Sequence, residues 1–359
     1  MLNKIKKGCF LLGGFLSLLL ITNCQNVNKQ ENIKQSIQKQ STKTEKKLSY
    51  SETLIKGIND VSITSGANLQ GYQDIISNKK PKKITIDGKL YLPDNCNKNK
   101  LPAVIIQHGS GSPKAPFYAN TAKALNSKGI IALVPDSFGK RGVSATEKNQ
   151  EQLSKATRLY DTFSAFRFLR TLDCVDPNRV GVTGYSFGGI ISIDSVETKL
   201  ASKLGDGYIY KASLPVYPSC QNTFKNTEST KTVVHILAGG LDDYTPASYC
   251  VDSVKLKKTK GWDINITVLD GAHHGFNNSS PPKKNPNSWT FGDCGKLYTD
   301  DAGFEFSEKY NVSTKDGWKK FVRTMAKNCG RKGVTVGGSP DFAKKQSTSR
   351  LTFSQKIFK

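Results

Sequence analysis

The sequence predicts an α/β fold in which helices cover both faces of a mostly parallel β-sheet. From about residue 60 to residue 270, short apolar runs alternate with longer stretches at helical spacing. Strands of a parallel sheet are buried on both faces, and so they read as continuous apolar runs. One apolar run also passes through a glycine-rich turn directly into a second apolar segment. With 359 residues and 36% hydrophobic content, the chain is long enough for such a core.

The elements can be placed in order along the chain. The predicted strands are apolar or alternating runs, at 84–92, 103–107, 130–134, 179–183, 210–216, 232–238 and 264–269. The longest predicted helices lie at about 116–128, 151–172, 314–328 and 340–356. Ser339 and Pro340 are suitable N-cap and N1 residues for the last of them. Residues 279–313, rich in Pro, Asn, Gly and Asp, predict an irregular insertion that is a candidate lid.

The N-terminus resembles a bacterial lipoprotein signal peptide. Lysines precede an apolar run at residues 10–21, which is too short to span a bilayer comfortably and ends in "LITNC". An A-x-A cleavage site is excluded there, because the first alanine of the chain is Ala67. The resemblance implies that residues 1–23 are removed and that Cys24 is lipidated. An ordinary secreted protein and an uncleaved anchor remain alternatives.

Residues 24–50 are polar and rich in Gln, Lys and Asn, which predicts a flexible tether before a folded domain at residues 51–359. We therefore expect an exported protein, anchored by lipid to the cell envelope, with a periplasmic or secreted protein as the alternative. In a Gram-negative cell, Gln25 would favour the outer membrane. Export favours disulfides, and every pairing is open among six cysteines: Cys96, Cys174, Cys220, Cys250, Cys294 and Cys329.

The formal net charge of +24 raises the question of a nucleic-acid partner. Only eight of the 53 basic residues are arginine, and the lysines are scattered along the chain. No helix-turn-helix, zinc-finger or RNA-binding motif accompanies them, and so no specific nucleic acid is expected. Solvated surface lysines explain the charge, with attraction to anionic surfaces as the alternative.

The most specific motif for chemistry is "VGVTGYSFGG" at residues 180–189. It places G-x-S-x-G, centred on Ser186, between a buried strand and an apolar helix. Glycines two residues before and after the serine allow the strand and the helix to approach closely. The serine hydroxyl then stands exposed at the helix N-terminus, and Ser186 is therefore the candidate nucleophile.

A serine nucleophile needs a base and an acid, which follow in the order Ser, Asp or Glu, then His when this motif serves a hydrolase. Asp242 and Asp243 come just after one predicted strand, and His273 and His274 just after the next. The carboxyl ends of parallel strands share one edge of the sheet, where ligands of open α/β sheets bind. Both pairs are therefore expected near Ser186.

A third loop, at residues 108–111, follows a buried strand and contains two glycines. The backbone N–H of Ser110 is the expected first donor to an oxyanion, and that of Phe187 the second. His108 and His235 are expected to be structural, since one begins this loop and the other lies within a strand.

Five blocks together resemble the dienelactone hydrolase family of α/β hydrolases, in the same order: "IIQHGSG", "PDSFGKRG", "GYSFGG", "GGLDDYTPASYC" and "GAHHGF". The resemblance covers roughly residues 80–280. It implies the α/β-hydrolase fold, with an eight-stranded sheet, and a catalytic triad. In the family's acid motif the aspartate lies four residues before the proline, which selects Asp242. The family's base directly precedes Gly-Phe, which selects His274.

The strand order that the resemblance implies also suggests disulfide pairs. Cys96 and Cys174 would precede neighbouring strands at one edge. Cys220 and Cys250 would follow neighbouring strands at the other edge, near the acid loop, and are the favoured pair. Cys294 and Cys329 remain for each other. Arg141, in the block "PDSFGKRG", is expected to form a structural salt bridge, with binding of an acidic substrate as the alternative.

These observations predict a membrane-tethered serine hydrolase that acts on a small ester or lactone and needs no metal or organic cofactor. Dienelactone hydrolase itself uses a cysteine where this chain has Ser186, which favours general ester chemistry over dienelactone. His273 is left as a neighbour that shapes the pocket. Two alternatives remain: a serine peptidase on the same fold, and a catalytically inactive binding lipoprotein.

Overall fold

A computed structural model of the chain describes Leu54, residues 56–94, Cys96 and residues 100–358. The predicted signal peptide, the tether and Cys24 lie outside these residues. Within the described part of the chain, no helix combines the length and the apolar character that a membrane span requires.

An eight-stranded sheet forms the centre of the fold, in the order β1-β2-β4-β3-β5-β6-β8-β9. Only the pairs β1/β2 and β2/β4 are antiparallel. The predicted mostly parallel sheet is therefore confirmed. Its strands are β1 (Gly57–Ala67), β2 (Lys82–Leu92), β3 (Leu101–Gln107), β4 (Ile131–Asp136), β5 (Val175–Tyr185), β6 (Ala212–Val216), β8 (Val233–Gly239) and β9 (Ile264–Leu269), while β7 (Asn222–Phe224) lies outside the sheet.

Helices cover both faces of this sheet, as the sequence predicts. They are α1 (Tyr72–Ile76), α2 (Pro116–Asn126), α3 (Lys155–Arg170), α4 (Phe187–Asp194), α5 (Thr198–Leu204), α6 (Ala247–Thr259), α7 (Trp318–Asn328) and α8 (Pro340–Phe358). Alternate side chains of β3 show the two faces: Ile105 packs in one buried cluster with Phe163 of α3, whereas Val104 packs in a second with Leu125 of α2. The α8 N-terminus begins as predicted, since the Ser339 hydroxyl accepts the Phe342 N–H at 3.3 Å.

The segment predicted to be irregular, residues 279–313, contains regular structure, and that prediction was wrong. It contributes β10 (Lys283–Thr290), β11 (Leu297–Thr299), β12 (Glu305–Ser307) and β13 (Val312–Ser313). Strand β10 pairs with β14 (Arg331–Val336), and β7, β11, β12 and β13 form a second small sheet. These strands are short or interrupted, and so their sequences carry no clear alternation.

Three disulfides join the six cysteines in the suggested pairs. Cys96–Cys174, Cys220–Cys250 and Cys294–Cys329 have Cα–Cα distances of 5.1, 4.8 and 5.0 Å. The second bond joins the segment after β6 to α6, the helix that follows the loop after β8. The third joins the segment after β10 to the end of α7, and so it holds together the two pieces of chain beside the candidate site described below.

Candidate active site

Ser186 occupies a sharp turn between β5 and α4. Its backbone has φ 56° and ψ −119°, a strained conformation that tertiary contacts must maintain. A Cβ on Gly184 would lie 2.1 Å from the carbonyl oxygen of Gly188, and a Cβ on Gly188 would lie 2.3 Å from that of Gln107. Both glycines of G-x-S-x-G are therefore required by close backbone contact. The turn places the serine hydroxyl beyond the sheet, at the N-terminus of α4.

His274 lies on the loop after β9 and meets this serine. Its Nε2 is 2.9 Å from the Ser186 Oγ, and the histidine is 4% exposed. The end of β14 holds the loop in place, because the Gly337 N–H donates to the His274 carbonyl oxygen at 2.8 Å. The candidate base and the candidate nucleophile are thus within hydrogen-bond distance of each other.

Asp242 lies on the loop after β8 and orients the histidine. Its Oδ2 is 2.8 Å from the His274 Nδ1, and its Oδ1 accepts the backbone N–H groups of Tyr244 and Thr245 at 2.9 and 2.8 Å. The Thr245 hydroxyl lies 3.0 Å from the same Oδ2. A carboxylate held on both oxygens cannot rotate away, and so the imidazole keeps its proton on Nδ1 and presents Nε2 to Ser186.

Asp243 and His273 are the sequence neighbours of Asp242 and His274, and they have different contacts. The carboxylate of Asp243 accepts the Thr335 N–H at 2.7 Å and the Thr335 hydroxyl at 3.1 Å, and so it fastens β14 to the acid loop. His273 is not among the described residues that line the cavity beside Ser186. Of the two adjacent histidines, His274 is the one that contacts Ser186, and a role of His273 in shaping the pocket stays a prediction.

The two backbone N–H groups predicted to bind an oxyanion belong to residues beside Ser186. Ser110 and Phe187 both line the cavity with Ser186, and within the described chain neither N–H donates to a protein acceptor. The other polar groups of the Ser110 loop are occupied: the Thr146 N–H donates to the Ser110 carbonyl oxygen at 2.6 Å, and the Gly109 N–H donates to the Tyr118 hydroxyl at 2.7 Å. These bonds fix the loop, while the Ser110 N–H has no acceptor among the described residues.

The buried side chain of His108 stabilises the loop that contains Ser110. Burial lowers its pKa well below the usual range, and the nearby Arg158 adds to the effect. The neutral ring donates from Nδ1 to the Gly109 carbonyl oxygen at 2.9 Å and accepts the Ser137 N–H on Nε2 at 3.2 Å. Arg158 is buried, donates to the His108 carbonyl oxygen, and stacks 4.5 Å from the Phe187 ring. His108 is structural, as expected.

Arg141 and His235 also have structural contacts. Both Nη atoms of Arg141 bind the carboxylate of Asp161 at 2.8 Å, and both also donate to backbone carbonyl oxygens. This geometry confirms the salt bridge and leaves the arginine occupied. The Nε2 of His235 lies 3.0 Å from the Thr267 hydroxyl on the neighbouring strand.

A cavity of about 130 Å³ opens beside Ser186. One side is formed by the central fold, including Ser110, Phe187 and Ile190. The other side comes from the segment after β9 and from α7, with Trp289, Phe291, Leu297, Trp318, Phe321, Val322 and Met325. The candidate lid of the sequence analysis thus lines the cavity together with a helix that follows it.

Several of these residues escaped sequence reasoning. Thr245 and Tyr244, which contact Asp242, lie within the acid block and could have been found as its partners. Tyr217 packs its ring 4.6 Å from that of His274, but a tyrosine after a strand carries no signal of this contact. The side chains of α7 lie outside the five sequence blocks, and only the tertiary structure brings them to the serine.

Comparison with known proteins gives three further findings. The sequence model of the dienelactone hydrolase family matches residues 86–328. Protein usf of Aquifex pyrophilus is 25% identical over 187 residues, which are 49% of this chain and 77% of that protein. Polyketide transferase claH of Penicillium crustosum is 27% identical over 134 residues, which are 36% of this chain and only 42% of that protein.

Among solved structures, the apo form of Thermogutta terrifontis esterase 2 has a TM-score of 0.44 and 18% identity, over 59% of this chain and 85% of that one. The propionate-bound form of the same esterase also gives 0.44, with 17% identity, over 59% of this chain and 86% of that one.

Proposed function

The chain belongs to the dienelactone hydrolase family and is a hydrolase of ester type; from this premise we propose that it cleaves carboxylic esters or lactones through a serine acyl-enzyme. The observation that carries the proposal is the contact chain from the Ser186 Oγ to the His274 Nε2, at 2.9 Å, and from the His274 Nδ1 to the Asp242 Oδ2, at 2.8 Å. Nucleophile, base and orienting carboxylate stand in the order and at the distances that this chemistry needs.

In the first half-reaction, the Ser186 Oγ forms a bond to the substrate carbonyl carbon while its proton passes to the His274 Nε2. The carbonyl oxygen becomes an oxyanion and accepts the N–H groups of Ser110 and Phe187. One such donor typically lowers the barrier by about 3 kcal/mol. The bond to the leaving alkoxide then breaks, and His274 returns its proton to that oxygen. The product is an acyl-enzyme and a free alcohol.

In the second half-reaction, His274 removes a proton from water as the water oxygen bonds to the acyl carbon. A second oxyanion forms on the same two donors. The bond to the Ser186 Oγ then breaks, the serine regains its proton from His274, and the carboxylic acid leaves. Ser186 stands where dienelactone hydrolase has cysteine. An oxygen nucleophile on a His–Asp pair suits ordinary esters, and so dienelactone itself is not the proposed substrate.

Labelling by a fluorophosphonate probe tests this proposal. We expect the probe to form one adduct, on Ser186, and to abolish hydrolysis of p-nitrophenyl acetate as labelling proceeds. Mass spectrometry of the peptide that contains Ser186 locates the adduct. Ser110→Ala is the matched control, because Ser110 lies in the same cavity and contributes only its backbone N–H to the proposed reaction, while its hydroxyl is bonded to Gln150; this variant should still be labelled. Hydrolysis that persists after Ser186→Ala, or an inert Ser186 in the folded protein, would favour the binding-lipoprotein alternative.

We further propose that the hydrolase is anchored to the cell envelope through a lipid on Cys24. The support is the N-terminal sequence: a lysine-containing segment, a short apolar run, and a cysteine that closes "LITNC". A diacylglyceryl group supplies two acyl chains, which is enough for stable anchoring.

Expression in a bacterium fed an alkyne fatty acid should label the full-length chain and send it into the detergent phase. Cys24→Ala should abolish both effects, whereas Cys9→Ala, a cysteine inside the predicted signal, should abolish neither. A wild-type chain that remains unlabelled and aqueous would argue for a secreted protein.

A further inference from the structure

Six aromatic side chains contribute to the wall of the cavity beside Ser186. They come from four separate parts of the chain and are Phe187, Tyr244, Trp289, Phe291, Trp318 and Phe321. Ile190, Leu297, Val322 and Met325 fill the spaces between them. Burying an apolar group against such a surface is favourable because it removes that group from water. The wall therefore favours a substrate group without charge.

Most of the polar side chains that reach the cavity are bonded to other protein groups. The Gln150 Nε2 donates to the Ser110 hydroxyl at 3.0 Å, and the Gln221 Nε2 donates to the carbonyl oxygens of Phe291 and Gly295 at 2.8 and 3.0 Å. Gln221 thereby fixes the segment after β10 that forms one side of the cavity. A ligand could hydrogen-bond to these two amides only if the hydrogen bonds that stabilise the cavity wall were broken.

The remaining polar side chains follow the same pattern. The amide of Asn222 is bonded to the Thr299 hydroxyl at 2.9 Å, and the Ser219 hydroxyl donates to the Gln221 Oε1 at 2.9 Å. The ammonium of Lys155 is paired with the buried carboxylate of Glu305. The hydrogen-bonding groups left for a substrate are those of the proposed reaction, namely the serine hydroxyl and the two oxyanion donors, together with the buried hydroxyl of Tyr244.

The size of the cavity limits what can fill it. At about 130 Å³ it is slightly smaller than an engineered apolar cavity of about 150 Å³ that binds benzene. A single aromatic ring or a chain of about six carbon atoms is the largest group of this kind that it holds without expansion. The Trp318 Nε1 donates to the Gln150 carbonyl oxygen at 2.9 Å, and the Cys294–Cys329 disulfide joins the two wall segments, so that expansion requires breaking specific contacts.

We infer that this cavity binds one half of the ester, and that this half is a compact uncharged apolar group no larger than a phenyl ring or a chain of about six carbon atoms. The inference rests on the proposed serine esterase function and adds its substrate class. The reacting carbonyl lies at Ser186, at the edge of the cavity, while the other half of the ester remains outside it. Esters of short or monocyclic apolar acids, or of alcohols of the same kind, are the substrates.

Two ester series test the inference and identify which half enters. In the first, p-nitrophenyl esters carry acyl groups from acetate to dodecanoate, together with phenylacetate and succinate. In the second, acetate esters carry alcohols from methanol to decanol, together with benzyl alcohol. In one series we expect kcat/KM to rise about fourfold for each added methylene up to about hexanol or hexanoate, and then to fall. The aromatic member should match that maximum.

Wall variants link this profile to the cavity. Val322→Phe fills the space and should lower kcat/KM for the hexyl and aromatic substrates by at least tenfold while leaving methyl acetate, which is small on both sides of the ester, within about threefold. Phe321→Ala widens the space and should move the maximum towards longer chains. Leu256→Ala is the matched control, since Leu256 is exposed on α6 and does not line the cavity. Thermal unfolding checks that each variant is folded; if Phe321→Ala is unstable, Val322→Phe decides alone.

The outcomes are distinct from those that test the proposed function. A flat profile in both series, a preference for succinate, or a maximum at dodecanoate would overturn the inference while serine-dependent hydrolysis still stood. An equal loss on all substrates in Val322→Phe would also overturn it, because a general loss indicates a disturbed triad. Absence of all hydrolysis together with an unlabelled Ser186 would instead remove the proposed function.

Discussion

His274→Ala should lower kcat for p-nitrophenyl acetate by about 10⁶-fold, close to the loss seen when a serine protease loses its histidine. Without the imidazole, no group within hydrogen-bond reach of Ser186 can take its proton, since the Nε2 at 2.9 Å is the side-chain contact that the structure gives the Oγ. KM should change little, because the imidazole acts on the proton and not on the bound substrate. Steady-state kinetics on purified protein, with circular dichroism to check the fold, give the measurement.

His273→Ala is the matched control for this prediction, one residue away in the same loop. It removes an imidazole of equal size that contacts neither Ser186 nor the cavity, and so kcat should stay within about threefold of the wild-type value. If His273→Ala were the inactive variant and His274→Ala the active one, the loop would have the opposite register in solution, and the proposed mechanism would lose its base.

The parts of the site that could be predicted from sequence are those with a local cause. G-x-S-x-G between a strand and a helix requires its two glycines for close backbone contact, and the motif therefore located Ser186 without any knowledge of distant residues. The choices of Asp242 over Asp243, and of His274 over His273, came from the resemblance to a family. Strand order alone placed all four side chains at the same edge and could not distinguish within either pair.

The cavity wall could not be predicted, for a physical reason. Trp318, Phe321 and Val322 lie on one face of an amphipathic helix, and such a face is as typical of a core contact as of a substrate pocket. Their position beside Ser186 depends on β10, β14 and the Cys294–Cys329 disulfide, which are long-range features. Strand β1 was missed for a different reason: its buried positions include Asn59 and Ser65, which weaken the apolar alternation.

One helix boundary was misplaced although its signal is local. The sequence pattern predicts that the helix after β4 starts at about residue 151, but α3 begins at Lys155. The Ser154 hydroxyl accepts the Thr157 N–H at 3.1 Å and is the N-cap, while residues 150–152 form a separate 3₁₀ turn. A serine before a helical pattern is a recognised start signal. The boundary matters for function, because Gln150 in that turn binds Ser110 and Trp318.

Asp242→Asn should lower kcat for p-nitrophenyl acetate by about 10⁴-fold while the fold is preserved. The asparagine fills the same space and can still accept the N–H groups of Tyr244 and Thr245 through its amide oxygen. Its amide nitrogen would then face the His274 Nδ1, 2.8 Å away in the wild type, and two donors cannot share that contact. The imidazole would move its proton to Nε2, where it blocks removal of the proton from Ser186. Loss of the negative charge would also leave the imidazolium of the transition state without its partner.

Asp243→Asn separates this effect from a general disturbance of the acid loop. The two aspartates are adjacent, but the Asp243 Oδ1 accepts the Thr335 N–H at 2.7 Å and its Oδ2 accepts the Thr335 hydroxyl at 3.1 Å. An asparagine oxygen can accept the same N–H, and its amide nitrogen can donate to the hydroxyl oxygen. We therefore expect Asp243→Asn to keep kcat within about threefold and to lower thermal stability only slightly. Equal losses in the two variants would mean that the loop acts through its anchoring to β14, and that the carboxylate beside His274 has no role of its own. A loss confined to Asp242→Asn assigns the effect to the atom 2.8 Å from the imidazole, because nothing else distinguishes the two substitutions in charge or size.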